Sequence, residues 1–156
     1  MTKPLRGRPF GGMACIYKRE LPVSIIKQSD RLQLLKLGPI TLINCHLPTS
    51  DFRLKHSENV DNYRNSIAEL DACLEYSSMS IIVGDFNANL IQVKSNKSYR
   101  DVIFRNFIDR NNLKTETNSI AFTHRTDNSS SMLDYIFITP TLQSQLSSKL
   151  ITEAFV

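Results

Sequence analysis

Residues 81–89 read IIVGDFNAN, and they are the most informative segment of the sequence. A short apolar run, Met79–Val83, leads into a glycine and is typical of a central strand covered on both faces. Asp85, Asn87 and Asn89 then follow in quick succession. At the carboxyl end of a strand, such polar side chains are held outward on a rigid support, where they can meet a ligand. The stretch therefore predicts a buried strand that ends in a functional loop.

The same residues allow more than one chemical interpretation. Asp85 can supply a hard anionic oxygen for Mg²⁺, and Asn87 can orient a phosphate oxygen or a water. The alternative is an Asx-rich turn that only caps the strand. A calcium-binding EF-hand loop is excluded, because that loop needs Gly and a twelfth-position Glu where this chain has Leu90 and Asn96.

The flanking sequence predicts an α/β layered sandwich in a single domain. Apolar residues at helical spacing predict a helix from Ser57 onward and a second helix over Tyr99–Asn111. The first four predicted strands would form an antiparallel meander. Strands are predicted at Gly12–Lys18, Leu21–Lys27, Arg31–Leu37, Ile40–Leu47, Ile120–Arg125, Leu133–Thr139 and Ile151–Val156, with a loop at Thr126–Ser131 and a short helix at Leu142–Leu150. Sheets flanked by helices in this mixture indicate the layered sandwich.

Length and composition exclude several classes of protein. With 156 residues, 41% of them hydrophobic and 22% charged, the chain can bury one core, so collagen-like and disordered classes are excluded. No apolar run reaches the roughly 18 residues of a membrane span, and the opening lacks the pattern of a secretory signal. Three cysteines without a CxxC pair favour a reducing compartment.

Positive charge is concentrated at the start of the chain. Residues 1–36 carry eight Lys and Arg against Glu20 and Asp30, whereas residues 37–156 carry eleven against thirteen acidic residues. A basic opening suits a polyanionic partner such as nucleic acid. The alternative is a solvated basic face with no partner.

Four segments, taken in order, resemble the endonuclease/exonuclease/phosphatase superfamily. They are Arg6–Tyr17 (RGRPFGGMACIY), Ile43–Pro48 (INCHLP), Ile82–Ala88 (IVGDFNA) and Phe122–Thr139 (FTHR…SSMLDYIFIT). The set is similar to the apurinic-type endonuclease domains of non-LTR retrotransposons, whose pattern runs GRPxGGVAI, NxYxP, GDFNA and FTW…S.LDYI. The resemblance covers nearly the whole chain. It implies a deoxyribonuclease-I-like sandwich and a phosphodiester hydrolase that acts on DNA with Mg²⁺ or Mn²⁺.

The resemblance also implies roles for particular residues. Asp85 and Asn87 match the pair that positions the nucleophilic water and the scissile phosphate near the metal. Asp134, in LDYI, matches the carboxylate that orients a catalytic histidine. The alternative for Asp134 is a purely structural role, as a salt bridge or a turn contact at the start of a strand. Such chemistry needs a metal to offset phosphoryl charge, an aligned water and a stabilised leaving oxygen.

Two histidines depart from the family pattern. His46 stands where the family has a phosphate-contacting tyrosine; it can donate a hydrogen bond, or it can be purely structural. His124 replaces the tryptophan of FTW and removes a large apolar wall. Together with Arg6, Arg8 and Arg125, His124 is expected to contact nucleic acid or phosphate.

The family's metal-binding glutamate precedes the GRPxGG segment, and its Ser-Asp-His follows the last strand. Because this chain starts shortly before the first motif and ends at Phe155-Val156, we expect residues 1–156 to be a partial domain with weak magnesium binding and impaired catalysis. The alternatives are a non-catalytic nucleic-acid-binding remnant and a phosphatase of the same superfamily.

The family further implies the setting in which the domain works. We expect DNA as the partner and a reverse transcriptase domain in the same parent polypeptide. We also expect a monomer, an intracellular and nuclear location, and no membrane association.

Overall fold

The computed structural model describes residues 13–90, 98–115, 124–126 and 129–144. Within these residues the regular elements follow one another along the chain as seven strands and three helices. Their order is β1 (Val23–Gln28), β2 (Leu32–Leu37), β3 (Ile40–His46), α1 (His56–Leu74), β4 (Ser80–Asp85), α2 (Tyr99–Arg110), β5 (His124–Thr126), β6 (Ser129–Ser131), β7 (Asp134–Ile138) and α3 (Pro140–Gln143).

Five of the strands form one mixed sheet in the order β1-β2-β3-β4-β7. The pairs β1–β2, β2–β3 and β4–β7 are antiparallel, whereas β3 and β4 are parallel. Helix α1 makes the crossover that a parallel pair requires. β4 therefore lies inside the sheet, between strands that come from distant parts of the sequence. Strands β5 and β6 form a separate hairpin.

Helices α1 and α2 share one hydrophobic core with the sheet. Helix α1 contributes Tyr63, Ile67 and Leu70, which recur at helical spacing and are buried. Phe86, directly after β4, is fully buried and stacks on Phe104 of α2 with 4.5 Å between the ring centroids. Burying each such side chain contributes about 1.5–3 kcal/mol, so this cluster fixes the helices against the sheet.

Most predicted elements are confirmed to within one or two residues. These are β1, β2, β3, β4, β7 and both long helices. None of the described helices is long and apolar enough to cross a membrane.

Two predicted elements are wrong, and each has a physical reason. Residues 13–18 of the strand predicted at Gly12–Lys18 form no strand, so the meander has three strands rather than four. Ile16 is 97% exposed there. An alternating pattern forms a strand only where a neighbouring strand supplies hydrogen-bond partners, and no described strand pairs with this segment. The loop predicted at Thr126–Ser131 is shorter, since Ser129–Ser131 pairs with His124–Thr126.

The end of the described chain differs from the prediction as well. The predicted helix Leu142–Leu150 begins two residues earlier, at Pro140, because proline is well tolerated in the first helical turn. It is a helix through Gln143, and its predicted residues from 145 onward lie outside the described residues. The same holds for the predicted strand Ile151–Val156 and for residues 120–123 of the strand Ile120–Arg125.

Candidate functional site

The end of β4 places polar and apolar side chains on opposite faces of the sheet. Ile82 pairs in register with Ile43 and Phe137, and all three belong to the core beneath the helices. Because strand side chains alternate, Asp85 lies on the other face. Phe86 then returns to the core and anchors the chain immediately after Asp85. The strand end is therefore a rigid support for the carboxylate.

Asp85 has a candidate functional residue beside it on each neighbouring strand. His46 is its register partner on β3, and Asp134 is its partner on β7. His46 Nε2 lies 3.9 Å from Asp85 Oδ2, which is an ion-pair distance rather than a hydrogen bond. Directly opposed residues of an antiparallel pair have Cβ atoms about 4.5–5.5 Å apart, so the two aspartates lie close together on one face. Three predicted site residues thus form one row across the sheet.

Asn87 is held just beyond this row by two hydrogen bonds, one from its backbone and one from its side chain. Its backbone N–H donates to Asp85 Oδ1 at 2.9 Å, and its side-chain Nδ2 donates to the Leu47 carbonyl at 2.8 Å. Its φ of 49° lies in the left-handed region, which asparagine tolerates better than most residues. The Asx turn that the sequence allows is therefore present, and it fixes the orientation of the Asn87 amide. Because Nδ2 is hydrogen-bonded to the Leu47 carbonyl, the amide Oδ1 points away from that carbonyl.

Gly84 allows β3 and β4 to approach closely next to the site. A Cβ at this position would lie 1.8 Å from the Cys45 carbonyl oxygen, and the φ of +146° is one that side chains rarely adopt. The close approach occurs one residue before the His46–Asp85 pair. A glycine is therefore required for the row to form at this spacing.

The loop after β4 is fastened to α2 and to β7. Asp101 accepts hydrogen bonds from the backbone N–H groups of Asn89 and Ser98, at 2.7 and 3.0 Å. Tyr135 Oη accepts from the Leu90 N–H at 2.9 Å and donates to a backbone carbonyl. Both ends of the loop Phe86–Leu90 are therefore held, which keeps Asn87 in place.

The groups behind the site are neutral. Burial raises the pKa of the Cys45 thiol, and burial likewise raises the pKa of Tyr63, whose hydroxyl donates to the Phe86 carbonyl at 2.9 Å. Neither group carries charge at neutral pH. The charges at this end of β4 therefore come from the side chains on its outer face.

The structure brings some of the predicted site residues together and leaves others undescribed. His46, Asp85, Asn87 and Asp134 meet at the end of β4. His124 and Arg125 lie on β5, but their side chains are outside the described residues, as are Arg6 and Arg8 altogether.

Sequence reasoning missed three residues that support the site, namely Gly84, Asp101 and Tyr135. Only Asp101 left a usable signal, because Ser98 followed three residues later by a carboxylate indicates a helix start.

The donor set at the site fits a hydrated magnesium ion in part. Among the described residues, no three His, Cys, Asp or Glu side chains are grouped so that they could hold a metal. Two carboxylates directly opposed across a strand pair repel each other, and a nearby cation offsets that repulsion. Mg²⁺ keeps several waters and usually takes only one or two protein carboxylates plus substrate phosphates. Asp85 with the Asn87 carbonyl oxygen is suited to that mode of binding.

Comparisons with solved structures agree with this fold. The endonuclease domain of TRAS1, a telomere-specific non-LTR retrotransposon, matches with a TM-score of 0.62 at 15% identity, over 82% of this chain and 58% of that one. A 3′-5′ exonuclease from Neisseria meningitidis matches with a TM-score of 0.60 at 12% identity, over 81% and 61%. An AP endonuclease from Archaeoglobus fulgidus matches with a TM-score of 0.58 at 15% identity, over 80% and 60%.

These neighbours have the deoxyribonuclease-I-like fold, and the expected α/β layered sandwich is confirmed. The chain spans about 60% of the length of each of them. A comparison with curated proteins finds no match.

The sequence profile of one family matches residues 40–155, which is more than half of the chain. That span includes INCHLP, GDFNA and LDYI but not the GRPFGG segment. It confirms the resemblance to the endonuclease/exonuclease/phosphatase superfamily on the segments that carry His46, Asp85 and Asp134. The chain therefore belongs to the endonuclease-reverse transcriptase family and is a nuclease/phosphatase superfamily domain that resembles DNA endonucleases.

Proposed function

We propose that this domain is a metal-dependent phosphodiesterase that nicks DNA, derived from a non-LTR retrotransposon, and that its catalysis is impaired in the chain as it stands. The observation that carries the proposal is the row His46–Asp85–Asp134 at the end of β4, with Asn87 immediately beyond it. Few structural roles require two carboxylates and an imidazole in one row on a sheet, with an oriented amide directly after it.

The chain's own residues divide the work at this site. Asn87, whose side-chain N–H₂ is engaged by the Leu47 carbonyl, presents its Oδ1 to an attacking water or a phosphate group. His46 can donate a hydrogen bond to a phosphoryl oxygen, and it does so more strongly when protonated. Asp134 favours a protonated histidine placed next to it, which would stabilise the leaving oxygen.

Asp85 and Asn87 are the residues that would hold Mg²⁺ or Mn²⁺. When bound, the metal supplies positive charge that stabilises the developing charge on the phosphoryl oxygens. Asp85 is the only matched carboxylate that would hold the metal, and Asn87 beside it is neutral. We therefore expect weak metal binding in the absence of DNA. Asp85 and Asn87 would then hold the ion together with a phosphate of the substrate.

Impaired catalysis follows from the groups that the resemblance implies and this chain does not match. Neither a metal-binding glutamate nor a Ser-Asp-His segment has a counterpart in the sequence. Removing members of a catalytic constellation costs factors of about 10³ or more, and the losses do not simply add. We therefore expect nicking at least about 10³-fold slower than that of an intact relative.

The family setting supports the remaining parts of the proposal. DNA is the proposed substrate, because neighbours of this fold include an AP endonuclease and a 3′ phosphatase bound to a product DNA hairpin. We further propose that residues 1–156 are a partial domain. It acts as a monomer in the nucleus, joined in its parent polypeptide to a reverse transcriptase.

A plasmid-nicking assay tests the proposal directly. The chain is incubated with supercoiled plasmid and Mg²⁺, beside an intact retrotransposon endonuclease domain at the same concentration. The site variant is Asp85→Asn. The matched control is Asp61→Asn, which makes the same change on the exposed surface of α1.

Slow, metal-dependent nicking that Asp85→Asn abolishes and Asp61→Asn preserves is the expected result. Nicking that survives Asp85→Asn would disprove the site, and nicking at the rate of the intact relative would disprove the impairment. DNA binding without any nicking above the Asp85→Asn background would favour the non-catalytic remnant instead. Hydrolysis of soluble phosphate esters would favour the phosphatase.

A further inference from the structure

Arg100 has an unusual position in the first turn of α2. The residue is half-buried, and its Nη1 donates to Thr49 Oγ1 at 3.3 Å in an exposed contact. Its Nε is buried without a hydrogen-bond partner among the described residues. None of the ion pairs formed within those residues involves Arg100. No described carboxylate therefore pairs with the Arg100 charge, and the exposed Nη1 end of the guanidinium is placed to bind an anion that comes from outside the chain.

The groups around Arg100 are polar donors and aromatic rings. Ser50 Oγ lies 3.1 Å from Tyr99 Oη, and the Arg100 guanidinium carbon lies 6.0 Å from the Tyr99 ring centroid. The His56 ring packs edge-on against the same tyrosine at 5.4 Å. Hydroxyl groups and an arginine fork are the donors that proteins use to bind phosphate oxygens.

Arg100 is connected to the candidate catalytic site through one loop. Thr49, its partner, lies two residues after Leu47, whose carbonyl accepts the Asn87 side-chain hydrogen bond. The next helical residue, Asp101, holds the Asn89 backbone from the other side. The first turn of α2 therefore fastens both loops that flank the end of β4. A ligand bound at Arg100 would lie beside the substrate of that site.

We propose that Arg100, with Thr49 and Ser50, binds a backbone phosphate of the nucleic acid adjacent to the phosphate that is cleaved. This inference rests on the proposed function, because it takes a polynucleotide as the substrate. The guanidinium supplies the charge, and its planar fork matches two phosphate oxygens. The two hydroxyl groups fix the position of that phosphate without adding charge.

The test is DNA binding without metal, so that it does not depend on catalysis. Fluorescence anisotropy measures the affinity of the chain for a short duplex in EDTA, over a series of salt concentrations. The variants are Arg100→Gln, Arg100→Lys and Thr49→Val. The matched control is Arg64→Gln, which removes the same charge from an exposed position on α1. Melting temperatures verify that each variant is folded.

Arg100→Gln is expected to weaken binding about tenfold, in line with the loss of a charge-assisted hydrogen bond. It should also reduce the slope of log K against log salt by about 0.9, the value for one phosphate contact. Arg100→Lys should retain the slope and part of the affinity. Thr49→Val should weaken binding without changing the slope, and Arg64→Gln should stay within about twofold of the wild type.

Equal losses in Arg100→Gln and Arg64→Gln would overturn the proposal, because binding would then follow net charge alone. No duplex binding by the wild type would overturn it as well. If Arg100→Gln does not fold, Arg100→Lys and Thr49→Val decide the outcome. Unchanged DNA affinity in both variants would then overturn the proposal. Duplex binding that depends on Arg100 in a chain that never nicks plasmid would refute the proposed catalysis but support this phosphate site.

Discussion

Two glycines with positive φ differ in what surrounds them. A Cβ on Gly84 would lie 1.8 Å from the Cys45 carbonyl oxygen, whereas a Cβ on Gly38 would meet nothing within 4 Å. Gly84→Ala must therefore push β3 and β4 apart, and we expect it to lower the free energy of unfolding by about 3 kcal/mol or more. Urea unfolding measures the loss, and separation of the strands should also abolish any function of the His46–Asp85 pair.

Gly38→Ala is the matched control at the residue scale. Its φ of +58° makes alanine strained, which costs about 1–2 kcal/mol, but no atom needs to move. Equal losses at the two positions would mean that strain in φ, and not the strand contact, sets the cost at Gly84.

The residues of the site were predictable to different degrees for reasons of chemistry. Asp85 and Asn87 follow an apolar run directly, so the sequence alone places them at a strand end. The pairing of Asp85 with Asp134 depends on strand order, which local sequence does not encode. Arg100 was missed because its partner Thr49 is 51 residues away and no local pattern joins them.

At the scale of elements, the start of α2 is a second fixed point. Asp101 closes a capping box with Ser98 and also accepts the Asn89 N–H from the loop after β4. Asp101→Ala removes both contacts and a favourable charge at the helix N-terminus. We expect it to destabilise the protein by about 1–2 kcal/mol, as measured by urea unfolding.

Asp109→Ala, in the same helix, is the matched control and is not expected to lower stability. Asp109 is exposed in the last turn, where a negative charge opposes the helix dipole. Its removal should leave stability unchanged or slightly increased. A loss equal to that of Asp101→Ala would contradict a specific role for the cap.

Elements with a strong local period were predicted well, and those that depend on pairing were not. Helix α1 and strand β4 carry their own patterns of apolar residues, and the predicted start of α1 and both predicted ends of β4 lie within two residues of those observed. The segment 13–18 has an alternating pattern but finds no strand to pair with in the described part of the chain. Periodicity specifies a face for burial, but it does not supply hydrogen-bond partners.

At the scale of the whole molecule, several buried groups resist ionisation. Burial raises the pKa of Cys45, Cys73, Tyr63 and Tyr135 above the ordinary values of 9.0 for cysteine and 10.0 for tyrosine. In the unfolded chain these groups lose their protons near those ordinary values. The unfolded state then binds fewer protons than the folded state, so stability falls as pH rises.

We therefore expect the free energy of unfolding to be constant near neutral pH and to decrease above about pH 9. Urea titrations from pH 7 to pH 11 measure this. Tyr63→Phe should be less stable at neutral pH, because its hydroxyl bond to Phe86 is lost, yet it should lose less stability on alkalinisation. A wild-type stability that stays flat to pH 11 would contradict the role assigned to these groups.

The sheet order also has a consequence for the chain as it is made. One edge of β4 pairs with β3, which precedes it in the sequence. The other edge pairs with β7, which is synthesised much later. A ribosome adds about 5–20 residues per second, so the roughly 50 residues between Asp85 and Ile138 take about 3–10 seconds to appear. During that interval the nascent β4 has an open edge. A message that ends before codon 134 would leave this edge open permanently. We expect chaperones and proteases to bind such a product, even though it would still contain the GDFNA motif.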